Sequence, residues 1–180
     1  RDVERSRGLG DVYKRQGMVF GFLSSLMMIY RREHPDLMAI AFDTGAPTFR
    51  HRMFDRYKAN RPPLDEDLRA QLPLLYETID LMRIPRFAMD GWEADDIIGT
   101  LAVQAANSGL EAYLVTGDKD FFQLVSDRVK VYTLPTRKQS EPVVLDPAGV
   151  EAKFGVPPRA VIDALALMGD TSDNVPGVPG

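Results

Sequence analysis

Two short apolar runs, each followed by an aspartate, constrain the fold of this chain most. Residues 37–42 read LMAIAF and precede Asp43, and residues 112–115 read AYLV and precede Asp118. A nearly continuous apolar run of this length is typical of a strand buried on both faces, as in a parallel sheet covered by helices. We therefore predict an α/β fold with a mostly parallel central sheet. Ligand sites in such sheets lie outside the carboxyl ends of the strands, where both aspartates would lie.

The spacing of apolar residues and the end signals predict the helices that flank this sheet. Residues 94–107 form a helix that Gly109 ends, and residues 65–82 form a long helix that Pro73 is expected to kink. A strand over residues 129–134 is more polar, which favours an edge position. Further helices are predicted over residues 18–30, 147–155 and 158–168.

Charge and cysteine content exclude some classes of function without identifying one. Lys and Arg total 22 against 26 Asp and Glu, so the net charge of −4 gives no global sign of nucleic-acid binding. The absence of Cys excludes disulfides, thiolate zinc sites and thiol catalysis. Residues 17–30 are apolar but shorter than the roughly 20 residues that span a bilayer. We expect a cytoplasmic protein without a membrane partner.

The first sixteen residues differ from the rest of the chain. They begin without Met, have no helical or strand period, and contain DVYKRQ, which looks like the translation of a sequencing adapter. We interpret residues 1–16 as a non-native segment and leave them out of the fold prediction. A genuine charged N-terminal arm is the alternative.

Four groups of acidic residues lie at the ends of predicted elements. They are Asp43; Glu93, Asp95 and Asp96; Asp118 and Asp120; and Asp170 and Asp173. Each group alone fits helix capping or turn chemistry. A sheet that brings all four to one edge would crowd the carboxylates, and their repulsion would need a cation. Oxygen ligands without His or Cys select hard cations, so we predict Mg²⁺ or Mn²⁺, with two or more ions.

One strong basic cluster follows Asp43 and interleaves cations with aromatic rings. Its members are Phe49, Arg50, His51, Arg52, Phe54, Arg56, Tyr57, Lys58 and Arg61. Cations neutralise phosphates and rings stack on unpaired bases, so this pattern indicates contact with single-stranded or frayed nucleic acid. A solvated loop whose rings pack on the core explains the pattern equally well.

Five segments, in order, resemble the 5′ nuclease domain of bacterial DNA polymerase I and its flap-endonuclease relatives, which share a PIN-like, resolvase-like fold. They read VFGFLSSL, FDTGAPTFRHRMFDRYKANR, GWEADDIIGTLA, VTGDKDFFQLVSD and LMGDTSDNVPGVPG. EADD, GDKD and GDxSDN are specific in combination. The resemblance implies a structure-specific 5′-3′ exonuclease and flap endonuclease of DNA replication and repair, which hydrolyses phosphodiester bonds with metal-activated water. Its partners would be DNA with 5′ ends or flaps and RNA primers. Fusion to a C-terminal polymerase and a stand-alone exonuclease both remain open.

The resemblance also implies roles for single residues. The metal ligands, direct or through water, would be Asp43, Glu93, Asp95, Asp96, Asp118, Asp120, Asp170 and Asp173. The catalytic residues would be Asp43 together with Lys58 and Arg61, which match the cations of a helical arch. The nucleic-acid-binding residues would be Arg50, Arg52, Arg56, Tyr57, Lys58 and Arg61.

The resemblance divides the chain and leaves one element unmatched. Residues 17–168 would form the nuclease domain, and residues 169–180 would begin a helix-hairpin-helix DNA-binding region. Family members begin with a strand that carries another metal-binding Asp in a VDG-like motif. Residues 1–17 contain no such motif, so we expect the first strand of the sheet to be missing.

Two other functions fit parts of the sequence. A PIN-like ribonuclease would share the carboxylates but would not require the basic aromatic cluster. A non-catalytic nucleic-acid-binding remnant is compatible with the missing first Asp. The retained carboxylates argue against such a remnant, because they repel phosphate unless a metal ion is bound.

Overall fold

The computed structural model describes residues 2–136 and 139–179, with side chains from residue 17 onward. Its elements are, in chain order, α1 (Asp2–Glu33), β1 (Ile40–Ala41), α2 (Phe49–Met53), α3 (Glu66–Arg69), α4 (Leu72–Leu81), β2 (Arg86–Phe87), α5 (Ala94–Asn107), β3 (Ala112–Val115), a 3₁₀ helix (Lys119–Leu124), β4 (Val129–Thr133), β5 (Val143–Leu145), α6 (Pro147–Phe154) and α7 (Pro158–Met168). The chain forms two compact units. One contains the chain up to Ile40 and Pro62–Arg86, and the other contains Ala41–Arg61 and the chain from Phe87 onward.

In the first unit, α1 packs against α3 and α4. Val19 and Leu26 on α1 are buried, as are Leu75 and Ile79 on α4, because spacings of seven and four place each pair on one helix face. Gln71, only 4% exposed, accepts hydrogen bonds from the amides of Met18 and Val19 at 3.0 and 3.4 Å. None of the described helices is both long and apolar enough to cross a membrane.

Two predictions for this unit need correction. The helix predicted over residues 18–30 is present, but α1 begins at Asp2, although residues 1–16 show no helical period. No proline precedes Pro35, so nothing in this stretch blocks propagation of the helix. The single kinked helix over residues 65–82 is wrong. The regular helix is interrupted at Ala70 and Gln71, although both keep right-handed helical dihedral angles, and Pro73 lies in the first turn of α4, where its missing N–H has no helical partner to lose.

The second unit contains a three-stranded sheet in which β4 is central. It pairs in parallel with β3 and antiparallel with β5. Leu114, Val131 and Leu145 lie in one row across the strands, and all are buried. The 3₁₀ helix, α5, α6 and α7 contribute the rest of the core, which includes Ala102, Phe121, Phe122, Val125, Val150 and Val161.

The sheet differs from the prediction in detail. The strand predicted at an edge is the central strand β4, because β5, which is too short to give a periodic pattern, pairs with its other side. β3 has its predicted bounds but is buried on one face only, since Tyr113 and Val115 are 48% and 43% exposed. Residues 37–42 yield only the two-residue strand β1, which is half-buried.

The described strands form two small sheets rather than one. β1 pairs with β2, where the amides of Ile40 and Phe42 donate to the carbonyls of Pro85 and Phe87. Both bonds advance in the same direction along the chain, so this pair is parallel. The α/β class with a largely parallel arrangement is therefore confirmed. The missing first strand and the division at residue 168 stay predictions.

Candidate active site

The N-terminus of α5 gathers carboxylates from two parts of the chain. Glu93 is the N-cap of α5, and Asp95 and Asp96 lie in its first turn. Asp43, which follows β1, accepts a hydrogen bond from the amide of Ala94 at 2.7 Å through Oδ1. Amides at a helix N-terminus lack helical acceptors and the helix dipole favours negative charge there. The GWEADD segment thus brings two of the four predicted acidic groups together.

The basic cluster holds Glu93, which is only 8% exposed. Its carboxylate accepts hydrogen bonds from the Tyr57 hydroxyl at 3.0 and 3.2 Å and from Lys58 Nζ at 2.7 Å. Burial, followed by the neighbouring carboxylates of Asp173 and Glu93, raises the pKa of Tyr57, so the hydroxyl remains a donor. Tyr57 is itself 8% exposed. Its ring is therefore not open to a nucleobase in this arrangement, and its hydroxyl positions Glu93.

Arg50 is fastened to α5 by a two-pronged ion pair. Its two terminal nitrogens each lie 2.7 Å from an oxygen of Asp96, and one lies 3.7 Å from Glu93. The Arg50 hydrogen bonds are the main cause that lowers the pKa of Asp96, and the guanidinium pKa rises in turn. Such planar pairs are among the stronger charge-assisted contacts in proteins.

The loop after α7 carries Asp170 and depends on two glycines. A Cβ on Gly169, whose φ is +70°, would overlap the backbone nitrogen of Gly177, and a Cβ on Gly177 would overlap the carbonyl of Met168, so neither residue can carry a side chain unless the backbone moves. Asp170 accepts hydrogen bonds from the amide and hydroxyl of Ser172 at 2.7 and 2.6 Å, which lowers its pKa. Lys119 Nζ lies 3.4 Å from the same carboxylate.

The same loop contacts the basic cluster through Asp173. Arg61 lies 2.5 Å from Asp173 Oδ1, and Lys58 Nζ lies 3.9 Å from Oδ2. The backbone amide of Lys58 donates to the Asp173 carbonyl at 2.9 Å, with Lys58 at φ +54°. Lys58 therefore contacts both Glu93 and Asp173, and it joins the first turn of α5 to the loop after α7.

Two asparagines that the sequence analysis missed fasten these segments. Asn60 Nδ2 donates to the carbonyl of Thr171 at 2.9 Å, and Asn174 Nδ2 donates to the carbonyl of Arg56 at 2.8 Å. Both lie inside the quoted motifs YKANR and GDTSDN. An amide side chain within each of two separate motifs is the signal that could have identified them. The sequence analysis also missed Lys119, which lies inside the motif GDKD.

Asp118 and Asp120 follow β3, as predicted. Asp118 is the N-cap of the 3₁₀ helix and accepts the amide of Asp120 at 3.0 Å. The pKa of Asp120 rises because the surrounding protein removes hydration and because Asp118 and Asp170 are nearby. The pKa of Asp95 rises to about 6 for the same kind of reason, with Asp118 and Asp43 as the main like charges. These shifts connect all four acidic groups electrostatically.

The eight carboxylates divide into two sets. Glu93, Asp96, Asp170 and Asp173 form ion pairs with cationic side chains. Among the described residues, no ion pair involves the other four, Asp43, Asp95, Asp118 and Asp120. Burial, followed by repulsion from neighbouring carboxylates, raises the pKa values of Asp95 and Asp120 in this second set, and a bound cation would offset both effects.

The donor set fits a hard divalent cation, although it is not arranged as a finished cage. The oxygens are all carboxylate, as Mg²⁺ and Mn²⁺ prefer. Within the described side chains, no three acidic or histidine groups converge closely enough to hold an ion as they stand. The chemistry of the residues therefore fits the cation.

The remaining predicted nucleic-acid contacts are exposed. Arg52 and Arg56 are exposed, and neither forms an ion pair within the described part of the chain. Arg56 lies over the ring of Phe54 at 5.5 Å. Arg50, Lys58 and Arg61 face carboxylates instead. The basic cluster thus contains two cations open to phosphate and three that neutralise the acidic site.

This combination of an α/β fold and an acidic site with a basic segment defines a class of resolvase-like nuclease domains. A family model described as "5′-3′ exonuclease, N-terminal resolvase-like domain" matches residues 11–155. The chain belongs to this family. The predicted resemblance is therefore confirmed at the level of the family.

The chain is similar to DNA polymerase I from several bacteria. DNA polymerase I of Thermus filiformis is 44% identical over 163 residues, which are 91% of this chain and 19% of that protein. DNA polymerase I of Pseudomonas aeruginosa is 44% identical over 168 residues, which are 93% of this chain and 18% of that protein. The chain thus spans about a fifth of the length of these relatives.

Solved structures agree in fold. A bacteriophage T5 flap endonuclease, in a complex with DNA and metal ions, matches with a TM-score of 0.70 at 21% identity, over 90% of this chain and 62% of that one. A T5 5′-exonuclease with bound zinc matches with the same TM-score, identity and coverage. At this identity the likeness establishes the resolvase-like fold.

Proposed function

We propose that this chain is the 5′ nuclease part of a DNA polymerase I or of a stand-alone exonuclease, and that it cleaves DNA near 5′ ends and flaps. The observation that carries the proposal is the set of four carboxylates without cationic partners, Asp43, Asp95, Asp118 and Asp120, bordered by a basic segment in the same unit. Family membership and the DNA-bound T5 relative support DNA as the substrate.

Divalent cations, Mg²⁺ or Mn²⁺, would be held by this unpaired set. The four paired carboxylates would contribute once their ion pairs open. These pairs are Glu93 with Lys58, Asp96 with Arg50, Asp170 with Lys119 and Asp173 with Arg61. When bound, the cations would lower the pKa of water and neutralise charge on the scissile phosphate. The zinc-bound T5 relative supports divalent ions in general, and the all-carboxylate donor set favours Mg²⁺ or Mn²⁺.

The cations of the basic segment would bind and orient the substrate. Arg52 and Arg56, which are exposed, would contact phosphates along the strand. Lys58 and Arg61 would leave their carboxylate partners and bind the phosphate near the cut. A bound metal cation would then neutralise Glu93 and Asp173 in their place. Tyr57 would keep Glu93 in place during this exchange. RNA primers at a 5′ end would meet the same groups.

A cleavage assay with matched substrates tests the proposal. The purified chain is given a labelled 5′-flap DNA, the corresponding 3′-flap DNA and a single-stranded RNA, each with Mg²⁺, Mn²⁺ or EDTA. We expect cleavage of the 5′-flap DNA that requires the cation and is abolished by Asp118→Asn. The matched control is Asp163→Asn, the same exchange at an exposed acid of α7. Cleavage of RNA alone would favour the ribonuclease alternative, and an active Asp118→Asn variant would contradict the proposed site.

A further inference from the structure

Trp92 presents an exposed aromatic face immediately before the carboxylates of α5. It is the only tryptophan of the chain, and it is 48% exposed. Its ring packs against Phe49 with centroids 5.2 Å apart at 56°. The amide of Phe49 donates to the carbonyl of Gly91 at 3.1 Å, so backbone as well as side chains hold the two residues together. The exposed half of the indole is therefore a fixed surface.

The surroundings of this ring suit a nucleic-acid strand. Arg50 lies 4.6 Å from the centroid of Phe49 and is itself fixed by Asp96, and Arg52 and Arg56 are exposed in the same segment. Met89, whose carbonyl accepts the Trp92 amide, is 57% exposed. Cations supply contacts to phosphates, whereas an exposed flat ring supplies a stacking surface for a base. Burial of Tyr57 removes one of the stacking rings that the sequence predicts, and Trp92 offers another.

We propose that Trp92, supported from behind by Phe49, stacks on an unpaired base of the DNA strand whose phosphate enters the carboxylate cluster. This inference rests on the proposed function. Because Trp92 directly precedes Glu93, a base stacked on the indole is held at a fixed position relative to the carboxylates in the first turn of α5. The ring thereby favours substrates that carry an unpaired base beside the cut over fully paired duplexes.

The single tryptophan allows a direct test of stacking. Tryptophan fluorescence is followed while oligo(dT), or an abasic strand of equal length and charge, is added with EDTA and with Ca²⁺. Binding is measured in parallel by anisotropy of labelled strands. We expect oligo(dT) to quench Trp92 and to bind more tightly than the abasic strand, which binds without comparable quenching. Binding of oligo(dT) without quenching, or equal quenching by the abasic strand, overturns the stacking inference alone. Failure of both strands to bind overturns the proposed function as well.

Substitutions separate stacking from general effects on the fold. Trp92→Leu, which keeps apolar area but removes the flat ring, should weaken oligo(dT) binding roughly 5- to 150-fold and leave binding of the abasic strand unchanged. Trp92→Phe should retain most of the affinity. Phe20→Leu, at a ring on α1 that is 75% exposed, is the matched control and should behave as the parent chain. Circular dichroism verifies folding of each variant. If Trp92→Leu binds oligo(dT) like the parent chain, or weakens both strands equally, the inference is wrong.

Discussion

Arg50 and Asp96 form a two-pronged ion pair that joins the basic cluster to the first turn of α5, with both nitrogen–oxygen distances at 2.7 Å. The side chains are 33% and 19% exposed, so water screens the pair only in part. Two segments that are distant in sequence thus meet through opposite charges. Without a bound metal cation, the basic cluster neutralises part of the acidic site.

Replacement of Arg50 should weaken this connection measurably. We expect Arg50→Ala to lower the free energy of unfolding by about 1 kcal/mol, since it leaves Asp96 and Glu93 less compensated and partial exposure reduces the effect. Urea unfolding in EDTA measures the change. The control is Arg86→Ala, whose partner Asp80 is exposed, and its effect should be smaller. Equal effects of the two substitutions would contradict the importance of the Arg50 pair.

Asp95 should make the stability of the metal-free protein depend on pH. Its pKa is raised from 3.8 to about 6 in the folded state, so the fold favours the protonated acid. Its contribution to stability is complete below pH 3.8 and is lost as the pH rises through about 6. Asp95→Asn should therefore raise the free energy of unfolding at pH 7 by about 1 kcal/mol, after allowance for solvent screening, and should have little effect near pH 3.5.

Urea unfolding of the Asp95→Asn variant at both pH values, in EDTA, tests this sign. The control is Asp163→Asn, which removes one charge outside the cluster. A gain from Asp95→Asn that is equal at both pH values would show that burial and the neighbouring charges of Asp118 and Asp43 do not raise the pKa of Asp95 in the folded protein.

The Tyr57 hydroxyl should contribute to stability through Glu93. Tyr57→Phe removes the donor at 3.0 Å from a carboxylate that is only 8% exposed, and we expect the free energy of unfolding to fall by about 1 kcal/mol. Thermal and urea unfolding measure the loss. Tyr113→Phe removes a comparable hydroxyl that donates to the exposed Glu111, and it should have less effect. A larger loss of unfolding free energy in Tyr113→Phe than in Tyr57→Phe would contradict the proposed contribution of the buried hydroxyl.

The sequence predicts those parts of the fold that depend on local signals. α5 and α7 have their expected bounds because an acidic cap, a proline or a glycine marks their ends. The split between α3 and α4 is not local, since Gln71 is buried there against the amides of α1. The central position of β4 is likewise a tertiary property, because β5 has only three residues and gives no recognisable period.

The same division holds for the site. The sequence predicts which carboxylates gather at the site, because they follow strands or begin helices and the topology determines where those ends meet. The sequence does not predict which carboxylate forms an ion pair with which basic side chain. Lys58 contacts Glu93 and Asp173 from a backbone position with positive φ, beside segments that the tertiary hydrogen bonds of Asn60 and Asn174 fasten, and no local pattern indicates these features.

Binding of Mn²⁺ to the chain tests the central claim, that the unpaired carboxylates hold divalent cations, most directly. Free Mn²⁺ can be followed by electron paramagnetic resonance during a titration, without any cleavage. We expect saturable binding that Asp118→Asn weakens by about tenfold or more, while Asp163→Asn binds like the parent chain. Equal Mn²⁺ affinity of Asp118→Asn and the parent chain would contradict the assignment of this cluster as the metal site.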